Sequence, residues 1–193
     1  CDELIARHLN IRWFGNGRAD NLTNPEFVDR LAKSGCWMLS LGIESESDEV
    51  RRDMMKKLER EKIKTAIQNL RKARIKSFAF FIFGYPGETP AALELTTRYA
   101  IDLDPDFANF YPAVPYPGTE LFRRLAAAGR LLHHDWDLYD TRHAVFRPAR
   151  MTPRQLEEGY WRAYRDFYRW GSIVRGAATK PDLASRLRHA AYA

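Results

Sequence analysis

The sequence predicts an α/β fold in which parallel strands alternate with helices. Short apolar runs alternate with segments of helical periodicity along the chain, which is the pattern of βα units. Three of these runs end in a turn that comes directly before a helix start: Gly42–Ser45, Phe83–Thr89 and Pro115–Thr119. Because parallel strands bring their carboxyl ends to one edge of the sheet, we expect these turns to form one rim of one pocket.

The first two strands are predicted from apolar runs and the capping signals near them. A strand at Ile11–Arg18 should lead into a Gly-rich turn. Thr23–Glu26 has the form of a capping box with Pro25 in the first turn, so a helix should begin there and end at Gly35. Trp37–Ile43 is apolar and fits a second strand that is buried on both faces.

The next elements continue the alternation of helices and strands. Helices are predicted at Asp48–Lys57 and at Glu61–Ala73, and they lead to a third strand at Phe78–Phe83. The Pro86–Gly87 pair after this strand suits a type II turn. Thr89 should cap the helix that follows, which runs to about Asp102.

The fourth strand is predicted at Phe107–Val114, and Thr119 should cap a helix that Gly129 ends. Four strands do not close a barrel, and the βα pattern fails after Leu132. A last helix is predicted from Thr152 to about Trp170. We therefore divide the chain into a partial barrel (1–132), a loop with a helix that packs on the barrel (133–171) and a basic tail (172–193).

Composition excludes several functional classes. The net charge is +6, but Lys and Arg are dispersed among Asp and Glu, so we expect no nucleic-acid partner. No apolar run is long enough to span a bilayer, and a cytoplasmic location is the expectation. The two cysteines, Cys1 and Cys36, should be reduced thiols, and no metal site is expected in this chain.

A series of motifs in a fixed order carries a family resemblance. Its members are Trp13 with Asn16–Asp20, Ala32–Trp37, Gly42–Ser45, Lys56, Ala73–Ile75, Phe81–Thr89, Pro115–Thr119 and Met151–Tyr168. With these motifs in this order, the chain resembles the C-terminal part of the catalytic domain of radical S-adenosylmethionine (SAM) enzymes. The resemblance covers about residues 1–170. It looks most like the cobalamin-dependent branch, which includes the anaerobic magnesium-protoporphyrin monomethyl ester cyclase and the hopanoid methylase.

The resemblance implies a partial (β/α)6 barrel, of which this chain holds about the last four parallel strands, with a C-terminal helical extension. It also implies a CxxxCxxC loop whose thiolates hold a [4Fe-4S] cluster. This chain lacks that motif, and neither Cys1 nor Cys36 lies at the position of a cluster ligand. We therefore expect a fragment that is inactive alone, with the cluster ligands and the cobalamin domain of this branch lying upstream.

The activity implied for the full enzyme is reductive cleavage of SAM to methionine and a 5′-deoxyadenosyl radical. That radical would abstract hydrogen from an unactivated carbon of a small-molecule substrate, and methylation, cyclisation or other radical chemistry would follow. The implied electron donor is a flavodoxin or a ferredoxin.

Two residues are the main candidates for contact with SAM. Glu44 follows a strand end where the family has a polar residue that contacts SAM, and a carboxylate there can accept hydrogen bonds from the ammonium group or the ribose hydroxyls. Lys56 matches a basic residue that pairs with the SAM carboxylate. Alternatively, Glu44 is an acid that interacts only with a helix dipole, and Lys56 is a solvent-exposed lysine.

The resemblance suggests further site residues, for which the match to the family is weaker. Arg18 either faces SAM or the substrate, or pairs with an acid. The backbone at Phe83 and Gly84 is expected near the adenine, although glycine is also ordinary in turns. Tyr116 is a candidate substrate contact on the rim, and Glu88 is interpreted as a structural acid near a helix start.

Two other functional classes remain open. A different α/β enzyme, such as a phosphate-binding barrel, would be expected to carry a GxxxxGK[ST] or GxGxxG loop, and neither is present. A non-catalytic binding or scaffold module of the same fold is compatible with the missing cysteines. An incomplete barrel exposes the edge of its first strand, so the fragment should self-associate through this edge unless a helix covers it.

Overall fold

The protein is built on a parallel four-stranded sheet. A computed structural model describes residues 1–56, 58–178, 183 and 186–187. The strands are β1 (Trp13–Gly17), β2 (Cys36–Glu44), β3 (Lys76–Phe83) and β4 (Phe107–Pro112). They lie in the order β1-β2-β3-β4, and every neighbouring pair is parallel. The predicted α/β architecture is therefore confirmed.

Helices connect and flank these strands. They are α1 (Asp2–Ala6), α2 (Pro25–Lys33), α3 (Asp48–Asp53), α4 (Arg60–Lys72), α5 (Pro90–Leu103), α6 (Glu120–Ala127), α7 (Pro153–Phe167) and α8 (Trp170–Ala178). Short 3-10 helices occur at Ala19–Thr23 and Trp136–Leu138. In the part of the chain that is described, no helix combines the length and apolar character needed to cross a membrane.

Alternation along the strands gives the sheet two different faces. In β3, Phe81 and Phe83 are fully buried in the main core, together with residues of α5 and α7 such as Leu93 and Leu156. Ile82, which points to the other face, is half-buried and packs against a second, smaller core. One face is therefore covered by helices, while the other leaves room for a cavity near the strand ends.

The capping predictions are mostly confirmed. Thr89, Thr119 and Thr152 each accept a hydrogen bond from the first turn of the helix that they precede. The prediction for Thr23 is wrong, because Asn24 is the cap and accepts from the backbone N–H groups of Glu26 and Phe27. Thr23 instead donates its hydroxyl to the Asp20 carbonyl, at 2.8 Å. Asn24 was missed because it directly precedes the proline and lies inside the expected four-residue motif.

Two predicted helix boundaries differ from the structure. Helix α3 ends at Asp53, before the expected end at Lys57, which lies outside the described residues. Met55 has a φ of 60°, in the left-handed region, so the helix does not continue through it. Helix α8 occupies the start of the segment expected to be a weakly packed basic tail, and it buries Ile173. The rest of that segment is outside the described residues except for 183 and 186–187.

Tyr164 of α7 and Tyr168, the residue that caps the C-terminus of this helix, close the outer edge of the sheet at β4. The hydroxyl of Tyr168 accepts from the Ala108 N–H at 3.1 Å and donates to the Ala108 carbonyl at 2.9 Å. The Tyr164 hydroxyl accepts from the Phe110 N–H at 3.4 Å. Burial raises the pKa of Tyr164 to about 12, so this hydroxyl stays protonated at neutral pH. The hydroxyls of Tyr164 and Tyr168 thus occupy positions where a further strand would pair.

We expect Tyr168→Phe to lower the free energy of unfolding by about 1–3 kcal/mol, because it leaves a backbone donor and acceptor of Ala108 unpaired. Urea denaturation of the whole chain measures this change. Tyr116→Phe is the matched control, because it removes the hydroxyl of a half-exposed side chain. Equal stability of the two variants would show that the hydroxyl contact contributes nothing.

Candidate functional site

A cavity of about 310 Å³ lies where the carboxyl ends of β2, β3 and β4 meet. It is lined by Glu44, Met54, Lys56, Ile82, Tyr85, Ala113, Val114 and Leu121. The first two predicted turns contribute directly, through Glu44 and Tyr85. The third turn, Pro115–Thr119, is not part of the lining, which instead includes residues just before and after it. The expected rim is therefore formed by two of the three turns.

Glu44 is held in an unusual backbone conformation at the end of β2. The register with β3 shifts between Gly42 and Glu44, so the strand has an irregularity there. Glu44 has a φ of 71°, and a non-glycine residue in this region costs on the order of 1 kcal/mol. The residue is only 8% exposed. Such strain persists only where the surrounding structure imposes it, so neighbouring residues hold the Glu44 backbone in this conformation.

Lys56 returns from the loop after α3 and pairs with Glu44. Its Nζ contacts the Glu44 carboxylate and donates to the Gly42 carbonyl at 3.2 Å. A Cβ at Gly42 would overlap both the Lys56 ammonium and the Glu44 carboxylate, so glycine is required for this arrangement. The structure therefore brings together the two residues that the sequence offered as the main candidates.

Arg51 fixes the loop that carries Lys56. Its guanidinium is fully buried and donates to the carbonyls of Leu58 and Glu46, both at 2.9 Å. It also contacts the Ser45 carbonyl and the Asp48 carboxylate. One side chain thus holds the start and the end of the loop together, which directs Lys56 back toward β2. No local signal in the sequence distinguishes this arginine from Arg52, its exposed neighbour on the same helix.

Glu88 joins the turns after β2 and β3. Its carboxylate accepts from the Ser45 hydroxyl at 3.2 Å and from the Tyr85 N–H at 3.1 Å. Burial raises the pKa of Glu88 to about 7, while hydrogen bonds from Tyr85, Ser45 and Gly84 act in the opposite direction. We call this arrangement of Ser45, Tyr85 and Glu88 the turn clasp. The Tyr85–Glu88 turn itself has the expected type II form, with Gly87 at a φ of 97°.

The other predicted site residues lie outside the cavity lining. Arg18 is exposed and pairs with Asp20 at 2.8 Å, which agrees with the simpler of its two interpretations. Tyr116 is half-exposed. The Phe83 side chain is buried on the helix-covered face, and a Cβ at Gly84 would overlap Leu156 of α7. Contacts of these residues with a ligand remain predictions.

The described residues do not offer ligands for an iron-sulfur cluster. No group of three or more His, Cys, Asp or Glu side chains within them is arranged to hold a metal ion. Burial raises the pKa of Cys36 to about 11, so its thiol is protonated at neutral pH, and Cys1 is exposed far along the chain from it. The donor set of the described residues therefore does not fit a [4Fe-4S] cluster.

A larger cavity, about 620 Å³, lies between α5 and α7. Its lining has mixed charge and includes the ion pair between Arg162 and Glu94, at 2.5 Å. This cavity lies between two helices and not at the strand ends, so we favour the smaller cavity as the functional site.

We expect Arg51→Lys to lower the free energy of unfolding by at least about 2 kcal/mol, since an ammonium group cannot reach several carbonyls as a planar guanidinium does. Urea denaturation measures the loss. Arg52→Lys is the control, because Arg52 is the adjacent residue and is exposed. A loss no larger than that of the control would contradict the structural role of Arg51.

We expect the stability difference between Glu88→Gln and the wild type to depend on pH. The pKa of Glu88 rises from 4.5 to about 7 on folding, so its ionised form is penalised in the native state. This penalty is absent below the unfolded pKa and fully present above the folded one. The advantage of the variant should therefore grow by about 2–3 kcal/mol between pH 5 and pH 8. Urea denaturation across this range tests it, and a constant difference would contradict the raised pKa.

Comparison with known proteins identifies the family. A family model described as the radical SAM superfamily matches residues 3–100, about half of the chain. Bacteriochlorophyllide d C-12(1)-methyltransferase of Chlorobaculum tepidum is 29% identical over 90% of this chain and 38% of its own length. The anaerobic magnesium-protoporphyrin IX monomethyl ester cyclase of Rubrivivax gelatinosus is 32% identical over 93% of this chain and 32% of its own length. The chain thus spans about a third of the length of these relatives.

Solved structures share the fold. One is the radical SAM methyltransferase TsrM from Kitasatospora setae, with cobalamin and a [4Fe-4S] cluster bound. Its match covers 86% of this chain and 31% of the TsrM chain, with a TM-score of 0.59 and 21% sequence identity. The radical SAM coproporphyrinogen III oxidase HemN of Escherichia coli matches 89% of this chain and 36% of its own with a TM-score of 0.62 at 18% identity. These matches confirm the expected partial barrel. The family model, which matches half of the chain, shows that the chain belongs to the radical SAM superfamily of enzymes.

Proposed function

We propose that this chain binds SAM in the cavity beside Glu44 and Lys56, as part of a radical SAM enzyme. The ion pair at the carboxyl ends of the strands is the observation that carries this proposal. Both side chains line one cavity, and both lie where ligands bind in parallel α/β sheets. Membership of the superfamily supplies the ligand class.

The charges of the pair suit the amino acid part of SAM. That part is a zwitterion, with an ammonium group and a carboxylate. It can replace the Glu44–Lys56 contact with two contacts of the same kind, Glu44 to the ammonium and Lys56 to the carboxylate. The exchange leaves no buried charge without a partner, which matters because an unpaired buried charge is costly.

The rest of the cavity suits a flat, largely apolar group. Ile82, Ala113 and Val114 line it on the side of β3 and β4. At about 310 Å³, the cavity lies at the small end of the range for ligand sites, about 300–1,000 Å³. We infer that it takes the nucleoside of SAM, with the amino acid part at the ion pair.

We further propose that the whole enzyme cleaves SAM reductively to generate a 5′-deoxyadenosyl radical. Because the described residues do not fit the cluster, we assign its ligands to sequence outside this chain. This chain alone should then bind SAM without cleaving it. A flavodoxin or ferredoxin is the proposed electron donor, and the cytoplasm the proposed location.

Relatives with related substrates narrow the reaction of the whole enzyme. Two are bacteriochlorophyllide methyltransferases and two are magnesium-protoporphyrin monomethyl ester cyclases. We propose methylation or cyclisation of a small molecule, with a porphyrin-type ring as the first candidate substrate. The fold shared with TsrM supports cobalamin as a second cofactor, held by residues outside this chain.

A non-catalytic binding module is the second candidate. It is favoured by one observation, the lack of a fitting set of cluster ligands among the described residues. The open reading frame that encodes this chain separates the two. A CxxxCxxC motif upstream in the same frame would support the enzyme, whereas a natural start near Cys1 would support the binding module.

We expect Lys56→Met and Glu44→Gln each to weaken SAM binding at least tenfold, because each removes one of the two charge contacts, and tenfold corresponds to about 1.4 kcal/mol. Isothermal titration calorimetry of the whole chain with SAM measures the dissociation constant. Circular dichroism verifies that each variant is folded.

Lys62→Met is the control, because it removes a lysine whose partner is the exposed Glu59. Its affinity should equal that of the wild type. A folded wild-type chain that binds no SAM, or variants that bind as tightly as the control, would refute the proposed site.

A further inference from the structure

We propose that Glu88 is a positioning residue that couples the two ligand-binding turns through the Ser45 hydroxyl. This inference rests on the proposed function, because the turns in question carry two residues that line the SAM cavity. Glu88 itself is not part of the cavity lining. Its effect on a ligand would therefore pass through the residues that it holds.

The turn clasp connects two strand ends that are far apart in sequence. Glu88 belongs to the turn after β3, and Ser45 follows β2. Ser45 comes directly after Glu44 in sequence. The Tyr85 N–H donates a hydrogen bond to the Glu88 carboxylate, and the Tyr85 side chain lines the cavity. One buried carboxylate thus binds the Tyr85 backbone and the side chain of Ser45, the residue next to Glu44.

Ser45 is itself the centre of a small hydrogen-bond network. Its hydroxyl accepts from the Ser47 N–H at 3.2 Å and lies 3.5 Å from the Thr96 hydroxyl of α5. The Thr96 hydroxyl also accepts from the Glu46 N–H at 3.1 Å. Because a hydroxyl either donates to or accepts from a given neighbour, the state of Glu88 decides how this network is oriented.

Glu88 has two states with different hydrogen-bonding abilities. As a carboxylate it only accepts, so Ser45 must donate to it. As a carboxylic acid it can donate to Ser45 instead. Burial places the pKa of Glu88 at about 7, so both states are populated near neutral pH. Hydrogen bonds to the charged form are the stronger ones, so the ionised state should hold the turns more firmly.

The charged groups around the turn clasp bind to one another or to the backbone. Arg51 reaches the Ser45 carbonyl, Glu44 pairs with Lys56, and Glu46 pairs with Arg60 at 2.6 Å. The shift in the pKa of Glu88 comes from burial and hydrogen bonds and not from these charges. SAM carries a net positive charge from its sulfonium, which favours a nearby carboxylate in its ionised form.

The test is the dissociation constant of SAM between pH 6 and pH 8, measured by calorimetry on the whole chain. For the wild type we expect binding to tighten about threefold or more over this range, as linkage to an ionising group requires. Glu88→Gln keeps the shape but cannot ionise, so this gain should be absent. Ser45→Ala should also lose it, because the connection to the turn after β2 is broken.

Glu61→Gln is the matched control, because it neutralises an exposed acid of α4. It should retain the wild-type dependence on pH. Apart from the substituted residue, both variants contain the same ionisable groups, so a difference between Glu88→Gln and Glu61→Gln isolates Glu88. The same slope in both variants would overturn the proposal.

A second measurement keeps this inference separate from the proposed function. The amide resonances of Tyr85 and Glu44 should titrate together, with a midpoint near pH 7 in the wild type and no such midpoint in Glu88→Gln. A wild-type chain that binds no SAM would end the proposed function, and the amide titrations would still decide the coupling. Independent titration of the two amides would disprove it.

Discussion

The candidate site depends on one contact, the ion pair between Glu44 and Lys56. It exists because β2 ends in an irregular register with Glu44 in the left-handed region, and because Gly42 leaves space for both charged groups. A regular strand end would point this side chain elsewhere, since successive residues of a strand face opposite sides. The conformational cost at Glu44 is therefore linked to the position of its carboxylate at the cavity.

Two further buried groups hold this arrangement in place by binding residues of the loops around it. Arg51 holds the carbonyls of the loop that brings Lys56 back to the sheet, and Glu88 holds the turn after β3 against Ser45. Neither is in contact with the cavity as a lining residue. A charged side chain buried behind a site is destabilising unless it is well bonded, so its presence indicates that the geometry of the loops is important.

The sequence predicted the repeating parts of the fold well. Apolar runs located all four strands, and Thr89, Thr119 and Thr152 located helix starts, because these signals are local. Glu44 and Lys56 were found through the family resemblance. Arg51 could not be recognised, because its role depends on partners brought near by folding. Glu88 was interpreted as a structural acid, but its contact with Ser45 could not be predicted, because folding brings the two residues together across 43 positions of sequence. The cap at Asn24 was missed for a local reason, the overlap of two capping signals.

The two edges of the sheet differ, and this difference shows where the partial barrel can be extended by further strands. At β4 the hydroxyls of Tyr164 and Tyr168 occupy outer hydrogen-bonding positions, so another strand cannot pair there without displacing α7. No comparable hydroxyl cap is found at β1 in the described part of the chain. Additional strands of the expected six-stranded barrel would thus have to join at β1. Since the sheet order follows the chain order, strands that join there would precede β1 in sequence, which is where the resemblance places the cluster-binding loop.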